Sequence, residues 1–171
     1  PHLIVINNAI DCNKFRYSED IRKEYRKKLN VDDNIIVIGH VGRFMYQKNH
    51  VFLVKIFNEY NKINPNSKLL LIGEGELEDK IRKEVKKLNI EKKVIFLGIT
   101  DCVNNYMQAM DFFLLPSFFE GLPVVGIEAQ ASGLPCLMSD SITREANLFG
   151  LVEFLSLKDA EKIWANKIQG M

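Results

Sequence analysis

Residues 112–138 read FFLLPSFFEGLPVVGIEAQASGLPCLM. An apolar run, Phe112–Leu115, is followed by a loop. A helical segment then spans about Pro123 to Ser132, Gly133 interrupts, and a second apolar run covers Pro135–Met138. Proline at the first helical position and glycine just past the end are the usual punctuation of a helix. Two short apolar runs separated by one helix form a crossover unit, whose strands run parallel. Neither run alternates with polar residues, which implies burial on both faces. The stretch therefore implies an α/β fold: a doubly wound parallel sheet with helices on both faces.

The rest of the chain repeats the pattern. Strands are expected at Leu3–Ile6, Ile35–Val41, Lys68–Ile72, Lys93–Leu97 and Val152–Leu155. Between them, helices are expected from Ser18 (as cap) to about Leu29, from about Asn49 to Lys62, and from about Glu76 to Leu88. A further one is capped by Asp101 and runs to about Met110, a short one spans Ser141–Leu148, and a last one begins at Asp159. Asn7–Phe15 and Gly42–Lys48 read as loops. In an open parallel sheet, ligands bind beyond the carboxyl ends of the strands. The loops after Val41, Ile72, Leu97, Leu115 and Met138 are the ones to search.

Bulk properties narrow the function. The chain has 171 residues, 47% hydrophobic and 26% charged, enough for one domain. A net charge of +1 gives no field to recruit nucleic acid. No apolar run of about 18 residues suggests a membrane span. Cys12, Cys102 and Cys136 are odd in number and widely spaced, which fits neither a disulfide framework nor a zinc site. Reduced thiols suit a cytoplasmic protein. The first residue is Pro1, as in a piece of a longer protein.

Residues 112–138 contain only two charged side chains, Glu120 and Glu128. A carboxylate in such apolar company is costly unless something binds it. Glu120 falls in the loop at a strand's carboxyl end. Gly121, Leu122 and Pro123 then lead into a helix whose first amides lack intrahelical partners and suit a phosphate. Glu128, about one turn in, is placed to accept hydrogen bonds from vicinal ribose hydroxyls. The competing assignment makes Glu120 a helix N-terminal charge and Glu128 a buried salt-bridge partner.

Two other loops bear on the same cleft. Gly42-Arg43-Phe44-Met45-Tyr46-Gln47-Lys48 brings a planar guanidinium and an ammonium toward one helix start, a pair suited to a diphosphate. Surface cations are the plain alternative. Gly73-Glu74-Gly75 permits a sharp turn and close approach of a ligand, and it is neither a P-loop nor a full dinucleotide fingerprint. An ordinary strand-to-helix turn would look the same. His40, inside an apolar strand, reads as a core residue. His50 falls in the first turn of a helix, where a structural role outweighs a phosphate contact. No nucleophile–base system can be assembled.

Taken together, GHVGRFMYQKNH (39–50), LLLIGEGELEDKI (69–81), VIFLGITD (94–101) and residues 112–140 resemble the C-terminal domain of glycosyl transferases group 1. These are retaining enzymes of glycosyltransferase family 4, with two Rossmann-like domains in the GT-B fold. VINNAIDCNKF (5–15) is similar to the segment by which that domain is entered. Asn8-Ala9 departs from the family's Asn-Gly, and Glu76 stands where proline commonly follows GEG.

The resemblance implies that residues 1–171 are the donor-binding half of the enzyme. It implies that Arg43 and Lys48 hold the donor diphosphate and stabilise the leaving nucleoside diphosphate. Glu120 contacts the donor sugar and supports transfer, Gly121, Leu122 and Pro123 meet sugar and phosphate, and Glu128 binds ribose. Gly98 and Ile99 lie where the main chain contacts the base, with Gly73 and Gly75 in the same cleft. No metal or other cofactor is expected, since cations and amides neutralise the diphosphate. The donor is expected to be a UDP-sugar. A glycan or lipid-linked acceptor would be bound largely by an N-terminal domain, and closing helices would follow residue 171.

Composition rich in lysine, asparagine and isoleucine suggests a bacterium, and together with the resemblance this implies a capsule or exopolysaccharide enzyme. Such an enzyme would be cytoplasmic, with peripheral association at the inner face of the plasma membrane. A nucleotide-sugar 2-epimerase of the same fold and a non-catalytic nucleotide-sugar-binding module are the rival functions.

Overall fold

A computed structural model of the chain describes residues 9–171. The strands are β1 Ile36–Val41, β2 Ser67–Ile72, β3 Val94–Gly98, β4 Phe112–Leu115, β5 Cys136–Ser139 and β6 Val152–Leu155. The helices are α1 Cys12–Phe15, α2 Glu19–Lys28, α3 His50–Ile63, α4 Glu78–Lys87, α5 Val103–Gln108, α6 Val124–Ala131 and α7 Glu161–Gly170. All six strands are parallel, in the order β3-β2-β1-β4-β5-β6. This is the doubly wound α/β sheet read from the sequence. The expected strand Leu3–Ile6 lies outside the described residues.

Alternate residues of each strand face opposite layers, because successive side chains in a strand point to opposite sides. Val37, Leu70, Ile72, Phe113, Leu115, Cys136 and Met138 pack with α1, α2, α5 and α6. Ile38, Leu69, Leu71, Phe112, Leu114 and Leu137 pack with α3, α4 and α7. β1 and β4 are adjacent, with Ile38 opposite Phe112 and Gly39 opposite Phe113. Their following helices, α3 and α6, lie on opposite faces. The chain reverses its direction of winding between these strands, which opens a crevice at their carboxyl ends.

Several local expectations need correction. Asn7–Phe15 is not loop throughout. Asp11 accepts a hydrogen bond from the Asn13 amide at 3.1 Å, and the short α1 it starts buries Phe15. Asp101 does not cap α5. Its N-cap is Cys102, whose own N–H is taken by Thr100 Oγ1 at 3.1 Å, and the helix ends at Gln108 with Ala109 as C-cap, close to the expected end. Pro123 precedes α6 as its N-cap with extended backbone, so the helix starts one residue later than expected. Residues 141–148 contain only a 3-10 turn, Arg144–Ala146, capped by Thr143. Ser18 does cap α2, accepting from the Ile21 amide. Gly133, at φ 79°, ends α6 with its amide on Gln130 O and the Leu134 amide on Ala129 O.

A buried ionic staple fixes α2 to the sheet. Arg26 is 1% exposed and donates to Asp111 Oδ2 (3.2 Å) and to the carbonyls of Ala109, Asp32 and Ile35. Arg22 binds Asp111 Oδ1 at 2.5 Å, and Asp111 Oδ2 also accepts from the Val37 amide at 2.7 Å. Asp111 thus joins α2, β1 and the entry to β4. Asp111→Ala is expected to cost about 3–5 kcal/mol in urea unfolding, because it removes the nearest counter-charge of a buried guanidinium and the acceptor of the Val37 amide. Loss of the exposed Lys167–Glu153 pair (2.8 Å) is expected to cost less than about 1 kcal/mol in the same assay.

Candidate functional site

A cleft with two adjoining lobes runs along the carboxyl ends of β1 to β4. One lobe, about 450 Å³, is lined by Gly42, Arg43, Gly73, Glu74, Gly75, Ile99 and Thr100, among others. The other, about 460 Å³, is lined by Arg43, Lys48, Glu120, Leu122, Pro123, Val124, Val125 and Glu128 among its walls. Val41, Gly42, Arg43 and Val103 border both lobes, so Arg43 sits where they meet. Of the residues singled out in the sequence, Gly98 and Gly121 do not line these lobes.

The loops forming the first lobe are held by main-chain hydrogen bonds. The Gly42 amide donates to Ile72 O (3.0 Å), Phe44 to Glu74 O (2.9 Å), Leu77 to Phe44 O (3.0 Å) and Gly73 to Gly98 O (2.9 Å). Gly73 has φ 129°, and a Cβ there would lie 2.3 Å from Gly42 O. A Cβ on Gly75 would lie 2.6–2.9 Å from the Phe44 backbone. The two glycines are needed so that one loop backbone can lie on another, a packing reason the sequence did not reveal. Gly98 supports the floor by bridging to Gly73. Phe44, fully buried, stacks edge-on against His50 and Phe96 and pins the arginine loop beneath the cleft.

In the second lobe, Lys48 Nζ donates to Glu120 Oε1 at 2.7 Å and Gln47 Nε2 donates to Oε2 at 2.9 Å. The side chains of Lys48 and Glu120 are 14% and 8% exposed. Glu120 therefore has two partners, from a 3-10 turn Tyr46–Lys48 that sequence patterning did not indicate. Gln47 was missed as well. Its signal was only adjacency to Lys48.

Arg43 is exposed and, among the described residues, its guanidinium has no ion-pair or hydrogen-bond partner. The amides of Val124 and Val125, at the start of α6, have no acceptor among the described residues. They follow Pro123, whose extended conformation turns the chain into the helix. A guanidinium, an ammonium and two unpaired amides thus border one space, the donor set that an anion favours.

Glu128 stands on the first turns of α6 and is half-buried. No ion-pair partner exists for it among the described residues, so it is not the salt-bridge residue of the competing assignment. Burial raises its carboxyl above the usual range. It also borders a second cavity of about 380 Å³ walled by Asp11, Lys14, Phe15, Asp101 and Asn104.

His40 and His50 lie beneath the cleft, fully buried or nearly so, with rings edge to face at 4.6 Å. His40 Nδ1 is 2.8 Å from Leu114 O, a geometry that requires the proton on Nδ1. Burial, then the neighbouring His50, pushes His40 well below the usual imidazole range. Burial, then Lys48, pushes His50 down to about 4. Both are structural residues and neutral at pH 7. Among the described residues no group of three or more His, Cys, Asp or Glu is placed to hold a metal. No helix there is long and apolar enough to cross a membrane.

An open parallel sheet with a cleft at the β1/β4 switch point defines a Rossmann-like α/β class of domain. The family model "Glycosyl transferases group 1" matches residues 21–150. The chain belongs to that family. It is 38% identical to EpsF of Bacillus subtilis (strain 168) over 96% of this chain and 43% of the relative. It is 32% identical to the Escherichia coli UDP-Gal:alpha-D-GlcNAc-diphosphoundecaprenol alpha-1,3-galactosyltransferase over 80% of this chain and 36% of that protein. The chain thus spans well under half the length of these relatives.

Among solved structures, Anabaena Alr3699/HepE in complex with UDP and glucose superposes with TM-score 0.86 at 23% identity, covering 98% of this chain and 46% of that one. The C-terminal domain of the Francisella tularensis group 1 protein LpcC gives TM-score 0.79 at 19% identity, covering 95% of this chain and 87% of that one. These likenesses establish the GT-B half-fold.

Two pH effects follow. A carboxyl raised in the folded state is comfortable when protonated and becomes a burden as pH rises through its folded pKa. Glu128→Gln is therefore expected to raise the thermal midpoint at pH 7 and to leave it unchanged at pH 3. The histidines carry the opposite sign: depressed in the fold, they stabilise above about pH 6.5, and that stability is lost as pH falls toward about 4. His50→Phe is expected to shrink the stability difference between pH 7 and pH 4.5, measured by denaturant unfolding at each pH.

Proposed function

We propose that the full-length protein transfers a sugar, with retention, from a nucleoside diphosphate sugar to a glycan or lipid-linked acceptor. The observation that carries this reading is the convergence of Arg43, Lys48, the free amides of Val124 and Val125, Glu120 and Glu128 on one cleft. Diphosphate lies against Arg43, Lys48 and the α6 amides. Ribose hydroxyls donate to Glu128, and the base fills the lobe walled by Gly73, Gly75, Ile99 and Thr100. The donor sugar reaches Glu120.

The C1–O bond to the diphosphate breaks with its electron pair going to the phosphate oxygen. Arg43, Lys48 and the amides stabilise that charge as it develops. The acceptor hydroxyl forms the new bond to C1 on the same face and gives its proton to a donor phosphate oxygen. A covalent glycosyl-enzyme would need a free carboxylate nucleophile. Before a donor binds, both oxygens of Glu120 are held by Gln47 and Lys48, and in this reading that carboxylate has a sugar-binding role in place of a nucleophilic one.

UDP is the favoured nucleotide. Support comes from the E. coli relative named for UDP-Gal and from the Anabaena structure with UDP. That relative and the Campylobacter jejuni N-acetylgalactosamine-N,N'-diacetylbacillosaminyl-diphospho-undecaprenol 4-alpha-N-acetylgalactosaminyltransferase, 33% identical over 88% of this chain and 38% of that protein, are named for lipid-diphosphate acceptors. Bacterial surface-polysaccharide assembly at the inner face of the plasma membrane fits those names. We assign no metal or organic cofactor to the reaction.

The test is calorimetric titration of full-length protein with UDP and a panel of UDP-sugars, followed by product analysis. Glu128→Ala is expected to weaken UDP binding about 10- to 100-fold, the value of about one charge-assisted hydrogen bond. Glu120→Ala is expected to leave UDP affinity within about threefold and to lower transfer about 100-fold. Equal losses of UDP affinity in both variants would overturn the division of labour. An epimerised nucleotide sugar, or binding without turnover, would replace the transferase reading with one of its rivals.

A further inference from the structure

The segments 46–49 and 116–120 are joined more firmly than an ion pair requires. The Phe118 amide donates to Gln47 O at 2.9 Å, and Asn49 Nδ2 donates to Pro116 O at 3.1 Å. The rings of Tyr46 and Phe118 stack at 4.7 Å and 21°. Within this rigid frame, two consecutive side chains bind the two oxygens of one carboxylate: Gln47 on Oε2 and Lys48 on Oε1. The two partners differ in kind. Lys48 carries a charge that an incoming diphosphate can draw away, whereas the Gln47 amide is neutral and has no such competitor.

The geometry points to Gln47 as a positioning residue that holds Glu120 by one oxygen while the donor diphosphate takes Lys48 from the other. This rests on the donor reading above and adds a residue and an order of events to it. Before the donor arrives, both oxygens are occupied and the carboxylate is fixed. As the diphosphate draws on the Lys48 ammonium, Oε1 becomes an acceptor for a sugar hydroxyl. Gln47 keeps the carboxylate from rotating, since its own backbone is tied to Phe118, two residues from Glu120. UDP alone presents no sugar and has no need of an oriented Glu120. Gln47 should therefore matter to turnover and not to nucleotide affinity.

The experiment compares full-length wild type, Gln47→Ala and Gln47→Glu. UDP binding is followed by calorimetry, and UDP release is followed with an accepted UDP-sugar. Gln47→Ala is expected to bind UDP within about twofold of wild type. Its kcat is expected to fall about 10- to 100-fold, the cost of a misplaced catalytic group, with a smaller change in KM. Gln47→Glu sets a second carboxylate beside Lys48 and is expected to weaken UDP binding about tenfold as well. Wild-type kcat in Gln47→Ala overturns the inference. So does a joint loss of UDP affinity, kcat and thermal midpoint, which marks a merely structural role.

Failure of the donor reading has a separate signature, in which wild type binds no nucleoside diphosphate. The Gln47 side-chain amide resonance then decides. It is expected to shift in Glu120→Ala, and an unmoved resonance overturns the hold on Glu120.

Discussion

β1 and β4 lie side by side in the sheet, yet the helices that follow them pack on opposite faces. Two consequences come from that single adjacency. The loops 42–48 and 116–123 leave the sheet next to each other and then diverge, so a crevice opens between them. The N-terminus of α6 borders that crevice, with its amides unpaired among the described residues. The Lys48–Glu120 pair spans the two loops at 2.7 Å. With side chains only 14% and 8% exposed, the pair would be costly to break by removing either member. The strand order thus brings the charges together, and the charges hold the two loops in register.

The other wall depends on main-chain geometry. Residues 42–44, 73–75 and 98 form no regular element beyond their strand ends, yet amide-to-carbonyl bonds join them in sequence. Side chains at 73 or 75 would separate the loops by collision with Gly42 and Phe44. Phe44 plugs the space beneath, against His50 and Phe96. A ligand entering this lobe meets a surface already ordered, which spares the entropy of arranging it. His40 and His50 serve the same end from below. Uncharged and packed, they add no positive charge behind Lys48 to loosen its hold on Glu120.

The parallel sheet was legible because its strands are apolar without alternation and its helices are not. Gly133 and Ser18 announced helix ends through local chemistry that needs no tertiary context. The element edges that shifted did so for reasons outside their own windows. At the start of α5 the cap position is Cys102 and not Asp101, and the turn before it is closed by Thr100 Oγ1 on the Cys102 amide. Pro123 took the cap position in place of the first helical one.

At the site, Glu120 and Glu128 stood out because nothing else in residues 112–138 is charged. Their environments could not be read that way. Glu120 meets a lysine and a glutamine more than 70 positions earlier, a relation set by strand order and invisible in a window. Glu128 meets neither. The tight approach of Gly73 and Gly75 to another loop was equally hidden, since a glycine states its freedom and not its neighbour.

The distribution of charge in the cleft separates binding from chemistry. Lys48 and Glu120 neutralise each other before any ligand is present. Arg43 and Glu128 do not. One is an exposed cation without a partner among the described residues, and the other is a half-buried carboxylate raised by burial. An uncommitted group loses no internal partner when a ligand arrives, so its interaction appears directly as affinity. A committed group must exchange one partner for another, and the exchange nearly cancels in binding while it moves atoms. Arg43 and Glu128 border different stretches of the cleft, one at the junction of its lobes and one along α6. A ligand that satisfies both must carry an anion and hydroxyls at a fixed separation. A nucleoside diphosphate has that form, and in the proposed donor complex its sugar would be delivered to the one pair already engaged.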